Sequence, residues 1–167
     1  MKKSATDRVT AYIGLGSNLA DPVAQIKSAR TAIAQIAEVQ ELAFSSLYHS
    51  PPMGPRDQPD YVNAVMCIAT DLPPIDLLRC LQRIENEQGR VRKGERWGAR
   101  TLDLDVLIYG EQMIDLPDLI VPHPGLTERA FVLYPLHEIA PQLLVPVKGS
   151  IADLLAKCPM NELDRLD

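Results

Sequence analysis

Aromatic residues make up only 5% of this 167-residue chain, which argues against the single-stranded RNA readers that display rings on open strands. Cysteine is scarce as well: Cys67, Cys80 and Cys158 are odd in number and show no C-x-x-C spacing. That suggests neither a disulfide framework nor a zinc site, and the thiols read as reduced ones in a cytosolic protein. No apolar run approaches the roughly 18 residues a membrane helix needs. The opening MKKSATDRVT turns polar at once, without the apolar stretch of a signal peptide. Basic residues do not prevail, since 17 Lys and Arg face 22 Asp and Glu for a net charge of -5; a general binder of nucleic acid or of membrane surfaces is therefore not expected. A G-x-x-x-x-G-K-[ST] loop is missing, which rules out a P-loop. Gly14-x-Gly16 lacks the third glycine of the dinucleotide fingerprint because position 19 is Leu. Repeats and low-complexity segments are missing too. What remains, with 46% hydrophobic content, is material for one ordinary core, hence a single domain across residues 1–167.

The chain punctuates itself clearly. Val9 to Ile13 is a short β-type run that ends in Gly14-Leu15-Gly16-Ser17-Asn18, read as a tight strand-to-helix turn. Asp21-Pro22 supplies an N-cap and a proline at the first helical position. Ile26, Ala29, Ile33 and Ile36 then form one apolar helix face to about Ala37. Leu42 to Tyr48 and Tyr61 to Thr70 read as strands separated by HSPPMGPRDQPD, whose prolines and glycine forbid regular structure. A second helix is expected from about Pro74 to Gln88, with Leu77, Leu81 and Ile84 inward and Gly89 as its stop. Thr101 to Tyr109 is the next strand. A short helical turn near Leu126 to Ala130 and a small helix capped by Ser150-x-x-Asp153 close the pattern. Strand, helix, strand, strand, helix, strand is the split βαβ order of ferredoxin-like α+β domains with a mainly antiparallel sheet.

Against the acidic background, residues 89 to 105 stand out: GRVRKGERWGARTLDLD. Strand alternation turns Asp103 and Asp105 to one face with Cα atoms roughly 7 Å apart, and turns Leu102, Leu104 and Val106 to the core. Two like charges on one face call for a cation, and such a pair can hold Mg²⁺ ions at the spacing used in phosphoryl chemistry. The alternative is a pair of solvated carboxylates meeting arginines on a neighbouring strand. Arg90, Arg92, Lys93, Arg96 and Arg100 in the glycine-bearing loop before them match phosphate bidentately. Cations beside a metal-binding pair make sense with an anion between them. Trp97 either covers a flat heterocycle or anchors the loop.

Other candidates are weaker. Tyr61 and Asn63 share a strand face after the PPMGP loop, where an Asn amide suits a heterocycle with an amide-like edge, or simply ends an edge strand. Gln82 and Glu85 are adjacent on the second helix, as a solvated pair or as ligand contacts. His123, between Pro122 and Pro124, is a phosphate-contacting donor or a surface histidine.

With these pieces in place, the chain resembles the 6-hydroxymethyl-7,8-dihydropterin pyrophosphokinases of folate biosynthesis over roughly residues 10 to 142. The resemblance rests on YIGLGSNL, SPPMGPRDQPDYVNAV, QRIENEQGRVRKGERWGARTLDLDVLIYG and VPHPGLTERAFVLYPLHEIAP. It implies a monomeric three-layer α-β-α domain that moves the β,γ-pyrophosphoryl group of ATP to the 6-hydroxymethyl oxygen of the dihydropterin and releases AMP. By the same resemblance Asp103 and Asp105 hold two Mg²⁺ ions, and Arg90 and Arg100 stabilise charge during transfer. Arg92 and Trp97 belong to the loop that seals the site. Gln82, Glu85, Arg92, Trp97, Arg100, Val106, His123 and Arg129 correspond to nucleotide contacts. The pterin falls to Tyr61, Asn63, Trp97 and Phe131, with the main chain of Ser50, Pro51 and Met53. Ser50 and Met53 stand where many members carry Thr and Leu, and Gly125 and Thr127 where a basic residue and a histidine are common. Partners are thus small molecules, with neither nucleic acid nor membrane.

Transfer of this kind asks a protein for positioning and charge stabilisation, with little covalent work. Arg100→Ala is accordingly expected to lower turnover by about a hundredfold while weakening ATP binding much less, because charge stabilisation belongs to the transition state. Steady-state rates beside an equilibrium ATP titration check this, and equal losses in both would contradict it.

Overall fold

The computed structural model describes residues 8–18, 21–51, 60–88, 102–160 and 163–166. Its main sheet is built from β1 (Val9–Ser17), β2 (Val39–Phe44), β3 (Leu47–Ser50), β4 (Tyr61–Thr70), β5 (Leu102–Tyr109) and, near the end of the chain, β10 (Asp164–Leu166). In space the order is β10-β3-β4-β1-β5, with β2 following β3 along the same edge of β4, and every pairing is antiparallel. Counting β2 and β3 as one interrupted strand gives the ferredoxin-like arrangement, in which the first and third strands lie side by side at the centre.

Helices α1 (Pro22–Ala34) and α2 (Pro74–Gln88) cover one face. Asp21 caps α1 through its side chain, which accepts the Ala24 N–H at 3.2 Å, as the Asp-Pro signal requires. Ile26, Ala29 and Ile33 of α1 and Leu77, Leu81 and Ile84 of α2 are buried against Ile13, Ala64, Leu102 and Leu104. On the other face lie α3 (Ala130–Ile139) and α4 (Ile151–Ala156), where Val132, Leu133, Leu136 and Ile151 pack on Val65 and Leu107. The layers are therefore α-β-α. Two small hairpins complete the described chain: β6 (Ile114–Leu116) with β7 (Leu119–Val121), and β8 (Leu144–Val145) with β9 (Gly149–Ser150). Among the described residues no helix is long and apolar enough to cross a membrane.

Three sequence expectations need correction. The Gly14-Leu15-Gly16-Ser17 stretch is no turn; β1 continues through it to Ser17 with both neighbours paired. Flanking strands on both sides supply partners for its backbone and override the local preference of glycine for turns. The single strand expected over Leu42 to Tyr48 is divided at Ser45-Ser46. There Ser45 exchanges bonds with Val65, its N–H donating to the carbonyl and its Oγ accepting the Val65 N–H, both at 2.9 Å. The turn near Leu126 is only the prelude to α3, a ten-residue helix. Its residues are apolar nearly all round and Pro135 sits inside it, so it carries neither the amphipathic stripe nor the clean interior by which a helix is recognised in sequence.

Glu138, near the end of α3, ties this layer to the broken strand. Its carboxylate accepts the Ser46 N–H at 3.0 and 3.1 Å, the Ser46 hydroxyl at 2.9 Å and the Tyr48 hydroxyl at 2.7 Å, with Arg165 of β10 at 3.8 Å. Burial pushes the Glu138 carboxyl up, but these donors and Arg165 outweigh it and hold it below its ordinary value of 4.5. A folded-state value below the unfolded one contributes stability that is complete above the ordinary glutamate range and is lost as pH falls through it. Glu138→Gln is expected to cost about 1–2 kcal/mol at pH 7 and to remove part of the acid-side loss. Urea unfolding at pH 7 and below pH 4 checks both, and an unchanged midpoint at pH 7 would contradict the tether.

Candidate functional site

The second face of the sheet is only partly covered. Where α3 begins, the strand ends are bare, and a cavity of about 280 Å³ opens over them. Register decides what lines it. Gly16 of β1 stands between Asn63 of β4 and Asp103 of β5, and Gly14 stands between Val65 and Asp105. Directly opposed residues share a face, so both carboxylates, Asn63 and the two glycines look into the same space. Ser50 of β3 opposes Tyr61, and both line the cavity with Pro51; Arg129 and Phe131 form its wall at the start of α3.

The glycines were legible as residues but not as function. A Cβ at Gly14 would meet the Leu107 side chain at 3.3 Å, and one at Gly16 would meet Asn63 Oδ1 at 3.1 Å. Both positions therefore keep the floor between the amide and the carboxylates free of side chains. The signal available in sequence was the G-x-G spacing, which in a strand puts both glycines on one face.

Asp105 also borders a second recess of about 250 Å³, walled by Leu78, Val106, Leu119, Ile120 and Pro124, with Asp118 and His123. His123 Nδ1 accepts the Gly125 N–H at 3.1 Å, so the neutral ring carries its proton on Nε2, which lies 4.0 Å from Asp105 Oδ2. Burial pulls the His123 pKa down and Arg129 adds to this, while Asp105 opposes it. The outcome below the ordinary value is a neutral donor facing the carboxylate. Arg129 in turn lies over the Phe131 ring, 5.8 Å from its centroid. Gly125, one of the residues at which the chain departs from the expected family pattern, makes room for that guanidinium; a Cβ there would come within 2.7 Å of Arg129 Cζ.

Gln82 and Glu85 border neither space. Gln82 Oε1 accepts from Arg79 at 2.9 Å, and Arg79 reaches on to Asp118 at 2.7 Å, a bridge from α2 to the β6–β7 hairpin. Glu85 turns toward β5, where its Oε2 accepts the Leu104 N–H at 2.7 Å. Since β5 pairs, among the described residues, with β1 alone, this carboxylate occupies the other edge of the strand at Leu104, between Asp103 and Asp105. Burial raises the Glu85 pKa, the Leu104 N–H opposes the rise, and the charges of Asp103 and Asp105 add to it. Arg90, Arg92, Trp97, Arg100 and Met53 lie outside the described residues.

Among the described residues no group of three or more His, Cys, Asp or Glu gathers as a metal cage. Two carboxylates without a third protein ligand fit a hard cation that keeps waters and takes its remaining oxygens from a phosphate.

Comparison with known proteins decides the family. The model of the family described as 7,8-dihydro-6-hydroxymethylpterin-pyrophosphokinase matches residues 12–141. The chain belongs to that family. It is 53% identical over 155 residues to the 2-amino-4-hydroxy-6-hydroxymethyldihydropteridine pyrophosphokinase of Pseudomonas aeruginosa, covering 93% of this chain and 95% of that protein. With the enzyme of the same name from Haemophilus influenzae the identity is 50% over 159 residues, covering 95% and 99%. The solved structure of Plasmodium falciparum HPPK-DHPS with pteroate aligns with a TM-score of 0.71 over 89% of this chain at 14% identity. This chain spans 42% of that one's length, and the likeness bears on fold. The matched stretch contains every residue that lines the cavity.

Glu85→Ala is expected to destabilise the chain by about 1–3 kcal/mol, since it leaves the Leu104 N–H without its acceptor. Glu85→Gln should recover most of this, because an amide oxygen can take the same bond. Chemical denaturation of the three proteins decides it, and equal losses in both variants would assign the effect to charge instead.

Proposed function

We propose that the chain transfers the pyrophosphoryl group of ATP to the 6-hydroxymethyl group of 6-hydroxymethyl-7,8-dihydropterin, releasing AMP, as a step of folate biosynthesis. One observation carries this reading at the level of residues. The carboxylates of Asp103 and Asp105 share a cavity with Tyr61, Asn63 and Phe131, and Asp105 also borders the neighbouring recess. An acceptor held in the first space and a nucleotide reaching in from the second would thus meet at the two carboxylates.

Each side chain then has a defined task. Tyr61 and Phe131 offer ring faces to the flat pterin, and Asn63 reads its edge, with main-chain contacts assigned to Ser50, Pro51 and, by the resemblance, Met53. On the nucleotide side stand Val106 and His123, with Gln82 and Glu85 behind them on α2. The Nε2–H of His123 donates without carrying a full charge, and Arg129 adds a cation. Asp103 and Asp105 would hold two Mg²⁺ ions, which when bound would offset the negative charge of the phosphate oxygens. As the new O–P bond forms at the hydroxymethyl oxygen, the bridge between the α- and β-phosphorus atoms breaks and AMP departs with its oxygen. The hydroxyl proton passes to the Asp103 carboxylate or to solvent. Arg90 and Arg100 stabilise the charge, and Arg92 and Trp97 help exclude water, which otherwise competes as acceptor. The enzyme is read as a cytoplasmic monomer occupying one domain across residues 1–167.

Incubating the protein with Mg²⁺, ATP and the hydroxymethyldihydropterin should yield AMP in step with pterin consumption. ADP as product would indicate an ordinary kinase, and turnover indifferent to pterin would sink the reading. Asp105, whose side chain is 46% exposed, should tolerate replacement without unfolding. Asp105→Ala is expected to lower turnover by about a hundredfold or more, and full activity at saturating Mg²⁺ would contradict its role as a metal ligand.

A further inference from the structure

Asn63 and Ser50 are both polar and both buried, at 4% and 7% exposure. Asn63 Nδ2 donates to Ser50 Oγ at 2.8 Å. The bond crosses from β4 to β3 inside the sheet, and both residues line the main cavity. An Asn amide can turn about its last torsion with little intrinsic preference, and the two orientations present opposite chemistry to a ligand. Here one N–H is committed to Ser50. The oxygen is thereby directed the other way, to the side of Gly16, where the missing Cβ would stand 3.1 Å from Asn63 Oδ1. Gly16 itself lines the cavity, so the space its side chain would fill is the approach to that oxygen.

We propose that the Ser50 hydroxyl is a positioning residue for substrate recognition: it fixes the Asn63 amide so that Oδ1, reached past Gly16, accepts a hydrogen bond from an N–H edge of the pterin ring. This rests on the pyrophosphokinase reading above and assigns Ser50 a side-chain task beyond its main-chain contact. The ligand edge selected is one that presents donors, as the 2-amino and N3–H groups of an aminopyrimidinone do. A ring with a carbonyl in place of the amino group keeps N3–H but turns an acceptor toward Oδ1 where the amino N–H stood, and is therefore disfavoured. Discrimination of this kind arises because a buried polar group is left facing the wrong partner.

The test compares kcat/KM for 6-hydroxymethyl-7,8-dihydropterin with that for the analogue carrying a carbonyl at position 2, in the wild-type chain and in three variants. Ser50→Ala removes the acceptor that holds Nδ2 and should narrow the preference for the pterin about tenfold, raising the pterin KM more than it lowers kcat. Ser50→Thr keeps the hydroxyl and should restore the preference. Gly16→Ala approaches from the other side, placing a methyl against Oδ1, and should narrow the same preference; it also serves where Ser50→Ala fails to fold. A wild-type preference retained in both Ser50→Ala and Gly16→Ala would overturn the assignment. So would a loss in Ser50→Ala that falls equally on both substrates, as a purely structural role predicts. Absence of pterin-dependent AMP from the wild-type chain is a different result, since it removes the pyrophosphokinase reading itself and this assignment with it.

Discussion

Strand β1 runs between β4 and β5 in a register that sets Gly16 between Asn63 and Asp103, and Gly14 between Val65 and Asp105. The rest of the site takes its positions from that register. Side-chain direction in a strand has a period of two, so a slip of one residue would turn the glycines into the helix-covered core and bring Ile13 and Leu15 into the cavity. Such a slip is strongly opposed. Ile13 and Leu15 are at most 2% exposed, and exposing two side chains of that size would cost about 3–6 kcal/mol. The apolar positions of β1 therefore hold the bare positions in place. Packing on one face specifies the chemistry available on the other.

The two faces are used differently. On one, α1 and α2 cover the sheet with an apolar cluster, and Glu85 reaches the edge of β5 beside it. On the other, α3 and α4 cover part of the surface, and the uncovered part is the cavity. Where α3 sits is set by Glu138, whose carboxylate gathers two backbone-proximal donors and a tyrosine at the interruption between β2 and β3. The beginning of the same helix carries Phe131 and follows Arg129, both of which line the cavity. A structural carboxylate at one end of a short helix is thereby coupled to cavity-lining residues at the other, because α3 is only 10 residues long and a rigid helix transmits position along its axis.

Much of this was legible without coordinates. The Asp-Pro cap, the inward faces of α1 and α2 and the limits of β4 all follow from periodicity and from local capping chemistry, which depend on near neighbours alone. The shared face of Asp103 and Asp105 follows from strand alternation. Less could be read where distant partners decide. The glycines of β1 look like a turn until two flanking strands claim their backbone bonds, and α3 is apolar nearly all round because it packs between sheet and α4. Glu85 read as half of a solvated pair with Gln82 or as a ligand contact, and its bond to the Leu104 N–H at the edge of β5 explains its partial burial.

The sequence by itself thus determined the split βαβ order, the acidic pair on its strand, the shared strand face of Tyr61 and Asn63, and membership of a family whose motifs are contiguous stretches of chain. Those are properties of neighbours along the backbone. The tertiary structure alone decided that Gly14 and Gly16 leave a bare floor, that Asn63 leans on Ser50, that His123 presents Nε2 to Asp105 and that one carboxylate borders both recesses. Each of these joins residues from separate strands or loops, and which atoms meet there depends on register and packing that no local pattern encodes.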